Sequence, residues 1–157
     1  MFRPMRRTKQ EVSREECVKI LTEEKRAVLA VNGDGGYPYA LPINFYYDSE
    51  TDKIYFHCAK AGHKLDAMTR DDKVCFTVHN TGYQKEDWSY HVTSVIVFGR
   101  AKVMTDEAEM REKIKKFGMK YYPTEQEVDE EIRKDFPRVN FVEITIEHMT
   151  GKLVHEK

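Results

Sequence analysis

The sequence lacks the features that define several large classes of protein. Its 157 residues contain no run of about 18 apolar residues and no apolar leader after Met1, so we expect neither a membrane span nor a signal peptide. Lys and Arg number 26 against 27 Asp and Glu, and the formal charge of -1 differs from the basic excess of nucleic-acid-binding proteins. The predicted partners therefore include no membrane and no nucleic acid.

Cysteine is scarce and forms no metal-binding pattern. Cys17, Cys58 and Cys75 are odd in number and include no CxxC pair, which favours reduced thiols over a disulfide framework. No HExxH motif or carboxylate cluster accompanies them, and the adjacent His57 and Cys58 would point to opposite faces of a strand. These absences predict a cytoplasmic protein without a metal site.

The chain also lacks internal repeats, low-complexity tracts and a GxGxxG fingerprint. The missing fingerprint excludes a tightly held nicotinamide domain, so any nicotinamide donor would have to visit transiently. The length and the absence of a linker predict one domain over residues 1–157. Within it, residues 1–10 carry the basic cluster FRPMRRTK and are predicted to form a flexible arm.

The apolar runs that are present predict a mainly β chain with flanking helices, an α+β protein. Capping boxes at SREE and TEQE mark two helix starts. Six strands are predicted at 27–32, 37–47, 53–58, 74–80, 90–104 and 140–154. The tight turns between consecutive strands favour antiparallel pairing, and six such strands close most economically into a small barrel. Pro38 and Pro42 indicate that the second strand is bent or lies at an edge.

The segment HCAKAGHKLDAM, residues 57–68, joins a predicted strand to a predicted helix. A helix that begins at Gly62 offers free N–H groups to a phosphate, with added charge from Lys64 and His63. A thiol nucleophile at Cys58 would need a base that no motif marks, and a buried thiol is more usual. The spacing alone fits an anion site and a solvated turn equally well.

Two further segments carry features of a cofactor pocket. The proline-kinked LPIN at 41–44 can offer main-chain N–H and C=O groups to a ligand instead of a neighbouring strand. SVIV at 94–97 places the hydroxyl of Ser94 ahead of an apolar wall. Apolar walls with a few placed polar groups are typical of small-molecule sites.

Taken in order, LPINFYYD, IYFHCAKAGHKLDAM, VCFTV and SVIVFGRAKV resemble the flavin-binding split-barrel proteins related to pyridoxamine 5'-phosphate oxidase. Within that group the chain is most similar to the nitroimidazole-resistance (Nim-like) branch, from about residue 5 to residue 150. The resemblance implies a six-stranded antiparallel split β-barrel with flanking helices. It also implies a homodimer that binds two FMN molecules at the subunit interface.

The resemblance further implies which residues bind FMN. They are Pro42, Ile43 and Asn44 along the isoalloxazine, His57, Cys58 and Ala59 along the ribityl chain and ring, Gly62, His63 and Lys64 at the phosphate, and Ser94 and Val95 on a strand that also touches the cofactor. His63 stands where many relatives have arginine, so the charge at this position depends on pH. Trp88 and Tyr90, near the start of the long strand, are candidates to cover the ring from the partner subunit, whereas a lone tryptophan is more often part of a core.

The resemblance implies an FMN-dependent oxidoreductase that reduces nitroaromatic or other small electrophilic substrates with electrons from NAD(P)H or a protein donor. His57 is the candidate catalytic residue, because a histidine at this strand end lies beside the flavin in the Nim-like branch. A role limited to hydrogen bonding fits His57 equally. The alternatives are a non-catalytic flavin-binding module or sensor, a pyridoxamine-phosphate-oxidase-like enzyme, and a deazaflavin- or heme-binding protein.

Overall fold

The computed structural model describes residues 1–157 and contains a single antiparallel sheet of eight strands. The strands are β1 (Arg26–Asn32), β2 (Pro38–Asn44), β3 (Tyr46–Asp48), β4 (Lys53–Ala59), β5 (Lys73–His79), β6 (Tyr83–Gln84), β7 (Tyr90–Val103) and β8 (Val139–His155). The four α-helices are α1 (Arg14–Glu23), α2 (His63–Arg70), α3 (Glu107–Tyr121) and α4 (Glu125–Asp135). Six strands have seven or more residues and correspond to the six predicted. The predicted strand 37–47 is interrupted at Phe45, so its last residues form the separate short strand β3, and β6 is a further short strand.

The sheet curls on itself into a split barrel. Its strand order is β2-β1-β5-β7-β8-β4-β3, so β2 and β3 occupy opposite edges. Only Phe45 separates these two strands in the sequence, and both edges must therefore meet at this residue. Phe45 is fully buried, and its N–H donates to the hydroxyl of Tyr121 on α3 over 2.8 Å. The predicted antiparallel split barrel is confirmed, and Pro38 and Pro42 lie on the edge strand β2.

The barrel interior holds the main hydrophobic core. Inward residues alternate along each strand, as in β1, where Ala27, Leu29 and Val31 are buried. Helix α1 contributes buried side chains to the same core: Cys17, Ile20 and Leu21. Full burial of each large apolar side chain contributes roughly 1.5–3 kcal/mol, so the barrel and α1 stabilise each other.

Helices α3 and α4 form a hairpin in the connection between β7 and β8. The hairpin covers the outer face of β4 and β8, where Tyr55 of β4 and Phe141 of β8 form a second small core with Phe117 of α3. Helix α3 begins at Glu107 rather than near 105, because the Asp106 side chain caps it by accepting the N–H of Glu109 over 2.8 Å. None of the helices combines the length and the apolar character needed to span a membrane.

The N-terminal arm lies on the outer face of the barrel. The ring of Phe2 stacks on His148 with centroids 4.7 Å apart and on Phe98 at 5.6 Å. Further along, the N–H of Val12 donates to the carbonyl of Gly151 over 3.0 Å. The flexibility of residues 1–10 stays a prediction.

Candidate functional site

The barrel has an open gap between β2 and the end of β4. Strand β3 pairs with β4 so that Tyr46 lies opposite Tyr55. The same register, continued past Phe45, would set residues 42–44 opposite residues 57–59. No pairing forms there, because β2 pairs only with β1. We call this gap, between residues 42–44 and 57–59, the seam. It brings together two of the segments predicted to bind FMN.

Main-chain groups of β2 face the seam. Pro42 lies directly opposite Val28 of β1, and proline has no N–H to give to that partner. In an antiparallel pair, every second residue turns its N–H and C=O groups away from the partner strand. The position of Pro42 indicates that Ala40, Pro42 and Asn44 are these residues of β2, with main-chain groups that point away from β1. The Ile43 side chain packs on the barrel core, whereas Pro42 and Asn44 are exposed. The edge strand β2 therefore presents main-chain hydrogen-bonding groups to the seam, where no neighbouring strand pairs with them.

The first turn of α2 lies beside the seam and has unused N–H donors. Gly62 precedes the helix with φ 138°, a conformation that residues with a Cβ rarely adopt, and its side of the turn is open space. The N–H groups of Leu65 and Asp66 both donate to the Gly62 carbonyl, at 3.0 and 3.1 Å. Those of His63 and Lys64 have no acceptor within the chain, and no side chain caps the helix. This turn can therefore receive an anion.

The two basic side chains of this turn face different ways. The His63 ring stacks on Tyr39 of β2 with centroids 4.1 Å apart, and its Nε2 lies 3.7 Å from Oδ2 of Asp34. This contact ties α2 to β2 and leaves mainly the main-chain N–H of His63 for a ligand. The Lys64 ammonium is close enough to the strand end to lower the pKa of His57. Lys64 is therefore the side chain that supplies positive charge to the seam.

His57 stands between the seam and the α3–α4 hairpin. Its ring meets Phe117 edge-on with centroids 5.3 Å apart. His57 is exposed on the outer face of β4, but the apolar wall beside its ring desolvates it and lowers its pKa. Lys64 lowers the pKa further, and the Asp135 carboxylate opposes both effects. His57 is therefore a neutral imidazole at neutral pH, able to donate from one ring nitrogen and accept at the other.

Three other predicted contact residues are placed differently. The Cys58 side chain points into the barrel core, opposite to His57, and burial raises the pKa of its thiol. Val95 is fully buried in the same core, so it can reach a ligand only through its main chain. Ser94 lies on the outer face of β7, three strands away from β2, and the single chain does not bring it to the seam. Ala59 ends β4 at the seam and is exposed.

Sequence reasoning missed a cavity of about 160 Å³ beside His57. It lies between α3, α4 and the outer face of β4 and β8, with Phe117, Phe141 and the carboxylates of Glu131 and Asp135 in its walls. The available signal was the spacing of Glu131 and Asp135, which lie four residues apart on the helical face that also carries the apolar Val128 and Ile132. No cluster of three or more His, Cys, Asp or Glu side chains is placed to hold a metal ion.

Comparison with known proteins gives matches that cover most of the chain. The sequence model of the pyridoxamine 5'-phosphate oxidase family matches residues 13–153. No curated protein sequence matches the chain.

Solved structures share the fold at low sequence identity. A protein assigned to 5-nitroimidazole antibiotic resistance in Bacteroides thetaiotaomicron is 19% identical with a TM-score of 0.77, covering 92% of this chain and 87% of its own. The flavocytochrome Anf3 of Azotobacter vinelandii is 22% identical with a TM-score of 0.76, and the match covers 96% of this chain and 72% of the flavocytochrome. An FAD-binding protein of Mycobacterium smegmatis is 20% identical with a TM-score of 0.65, and the match covers 93% of this chain and 98% of the FAD-binding protein. These similarities show the barrel architecture.

Proposed function

The chain belongs to the pyridoxamine 5'-phosphate oxidase family, and from this membership we propose that it is an FMN-dependent oxidoreductase whose flavin lies along the seam. One observation carries the proposal: the seam joins an edge strand with free main-chain groups to a helix start with two N–H donors that have no acceptor. This donor set fits a long cofactor with a phosphate at one end. Flavin-binding proteins among the structures with the same fold support the choice of cofactor.

Different residues of the seam would bind the phosphate and the ring system of the flavin. The N–H groups of His63 and Lys64, with the Lys64 ammonium, would hold the phosphate, and Gly62 would let it approach the backbone. The main-chain groups of β2 at Pro42 and Asn44 would hydrogen-bond the polar edge of the ring system. FMN supplies the redox chemistry, whereas the protein binds it, orients it and controls what reaches it.

His57 would face the substrate side of the flavin. As a neutral imidazole it can hold a substrate oxygen by donating from a ring nitrogen, or move a proton at that atom. The lowered pKa favours this neutral form. Small nitroaromatic electrophiles are the proposed substrates, with NAD(P)H as a transient donor; the shared fold with a protein assigned to nitroimidazole resistance supports this choice.

A homodimer would complete the site. The outer face of β1, β5 and β7 carries exposed apolar side chains at 39% for Val28, 40% for Ile96 and 41% for Phe98. The strand pairing places Val28 and Ile96 in one row on either side of Thr77. A second copy seated on this face would cover these side chains and bring its own Ser94 and the 72%-exposed Trp88 towards the seam. This arrangement gives Ser94 a role that it cannot have within one chain.

The experiment is to purify the wild type, record its visible spectrum and molecular mass, and identify what denaturation releases. We expect about one FMN per chain in a dimer, and oxidation of NAD(P)H when a nitroaromatic acceptor is added. Lys64→Ala should weaken FMN binding by about tenfold or more, since a charge-assisted hydrogen bond is lost. Lys19→Ala, on the exposed face of α1, is the matched control and should bind FMN as the wild type does. Unchanged FMN affinity in Lys64→Ala would exclude the phosphate role.

A flavin-binding module without turnover is the second candidate. Bound FMN without any NAD(P)H oxidation, across several acceptors, would favour this candidate. A colourless protein that does not take up added FMN would overturn both candidates.

A further inference from the structure

The cavity between α3 and α4 has the size of a single aromatic ring. Its volume is about 160 Å³, and an engineered apolar cavity of about 150 Å³ in another protein takes up benzene. Most of its lining is apolar, and it opens towards the surface between the helices. It lies on the outer side of β4, whereas the seam lies along the edge of that strand, so a ligand here would not occupy the flavin position.

The aromatic residues of the cavity form a box. Phe117 and Phe141 meet edge-on at an interplanar angle of 89°, with centroids 6.1 Å apart. Tyr122 and Phe136 add two further rings to the lining, and His57 closes the end next to the seam. Rings set at right angles offer both an edge and a face to a planar ligand, and their faces attract positive charge.

Two carboxylates face the same space. Glu131 and Asp135 lie on one face of α4, and a hydrogen bond with Asp135 raises the pKa of Glu131. After burial, these two carboxylates are the main causes that raise the pKa of Tyr122. Three cations lie nearby, and none is paired closely with both carboxylates: Arg138 lies 3.7 Å from Asp135, and Lys134 is exposed. Arg111 stacks on the outer part of the lining, 4.0 Å from the Phe136 ring centroid, and is itself paired with Glu107. Two neighbouring carboxyl groups repel each other when both are ionised, so a cation placed between them would be favoured.

We propose that the α3–α4 cavity binds a small planar aromatic cation, one ring bearing an amidinium-like or protonated amine group. The ring would lie against Phe117 and Phe141, and the cationic group would meet Glu131 and Asp135. The site is separate from the proposed flavin seam and does not depend on it. A ligand held there touches His57, so it also has a direct route to the residue that faces the flavin.

The test uses the purified full-length chain and three matched probes: benzamidinium, its neutral amide benzamide and the anion benzoate. Calorimetry or NMR titration should show benzamidinium binding at least about tenfold more tightly than benzamide, with benzoate weakest, because only the cation satisfies the carboxylates. Equal affinities for the three probes, or no binding by any, would overturn the proposal without any mutation.

Variants then locate the site. Glu131→Gln and Asp135→Asn should each weaken benzamidinium binding by about tenfold, and Ile132→Trp should abolish it by filling the cavity. Glu130→Gln makes the same charge change on the exposed face of α4 and should leave binding unchanged. Normal binding by both carboxamide variants would refute the assignment. Lys64→Ala, weakened in FMN binding, should still bind benzamidinium, which separates this proposal from the proposed function.

Discussion

The buried ion pair between Lys113 and Asp48 is the most consequential polar contact that joins α3 to the barrel. The Lys113 Nζ lies 2.8 Å from Asp48 Oδ2, and the two side chains are only 6% and 2% exposed. Burial raises the pKa of Asp48, but the hydrogen bonds from Lys113 and from the Glu50 N–H outweigh it, so the pKa is lowered. The carboxylate is therefore ionised in the folded protein and relies on Lys113.

We expect Lys113→Met to lower the free energy of unfolding by about 3 kcal/mol. Removing one partner of a buried pair leaves a charge without compensation, which usually costs about 3–5 kcal/mol. The lower end applies because the Lys116 ammonium stays 3.8 Å from Asp48. For a chain of this length, the melting temperature should fall by about 6–12 °C.

The assay is urea unfolding at neutral pH, completed as a double-mutant cycle with Asp48→Asn. The double variant should be less destabilised than the sum of the single changes, because it leaves no buried charge alone. Lys116→Met is the matched control: its side chain is 34% exposed, and we expect a loss below about 1 kcal/mol. A loss below about 1 kcal/mol in Lys113→Met itself would refute the reasoning.

Two further predictions concern a buried lysine and a tight glycine. Burial lowers the pKa of Lys120 to about 8, so between pH 8 and 9.5 the unfolded chain holds a proton that the folded chain does not. The free energy of unfolding should therefore rise by roughly 1 kcal/mol across that range, after discounting for partial exposure, and urea titrations should show no such rise in Lys120→Met. Gly99→Ala should cost about 1–3 kcal/mol, since its Cβ would press on the Thr145 carbonyl of β8; a thermal melt equal to that of the wild type would contradict this.

The strands and helix starts were predictable because local chemistry sets them. Alternating apolar residues mark β1, and the capping boxes place two helices: the hydroxyls of Ser13 and Thr124 accept the N–H groups of Glu16 and Glu127. The edge position of β2 followed from its prolines. Each of these features depends on neighbours within a few residues, which the sequence displays directly.

The arrangement of the site was less predictable because it depends on distant pairings. The opposite facing of His57 and Cys58 followed from strand geometry, and the structure agrees. The stacking of His63 on Tyr39 could not be predicted in this way, because it joins segments that only barrel closure brings together. The cavity beside His57 depends on how the α3–α4 hairpin folds over β4, and spacing along α4 cannot report that contact.

Strand β8 also sets the order in which the protein can be assembled. It pairs with both β7 and β4, and the β4 pairs, such as Lys53 with Thr145, span more than half of the sequence. During synthesis β4 therefore leaves the ribosome long before its partner, with the main-chain groups along one edge unpaired and open to other chains. Long-range pairing of this kind slows folding. We infer that production of the protein at high rate is limited by aggregation of chains still waiting for β8, and that slower synthesis at lower temperature favours the closed barrel.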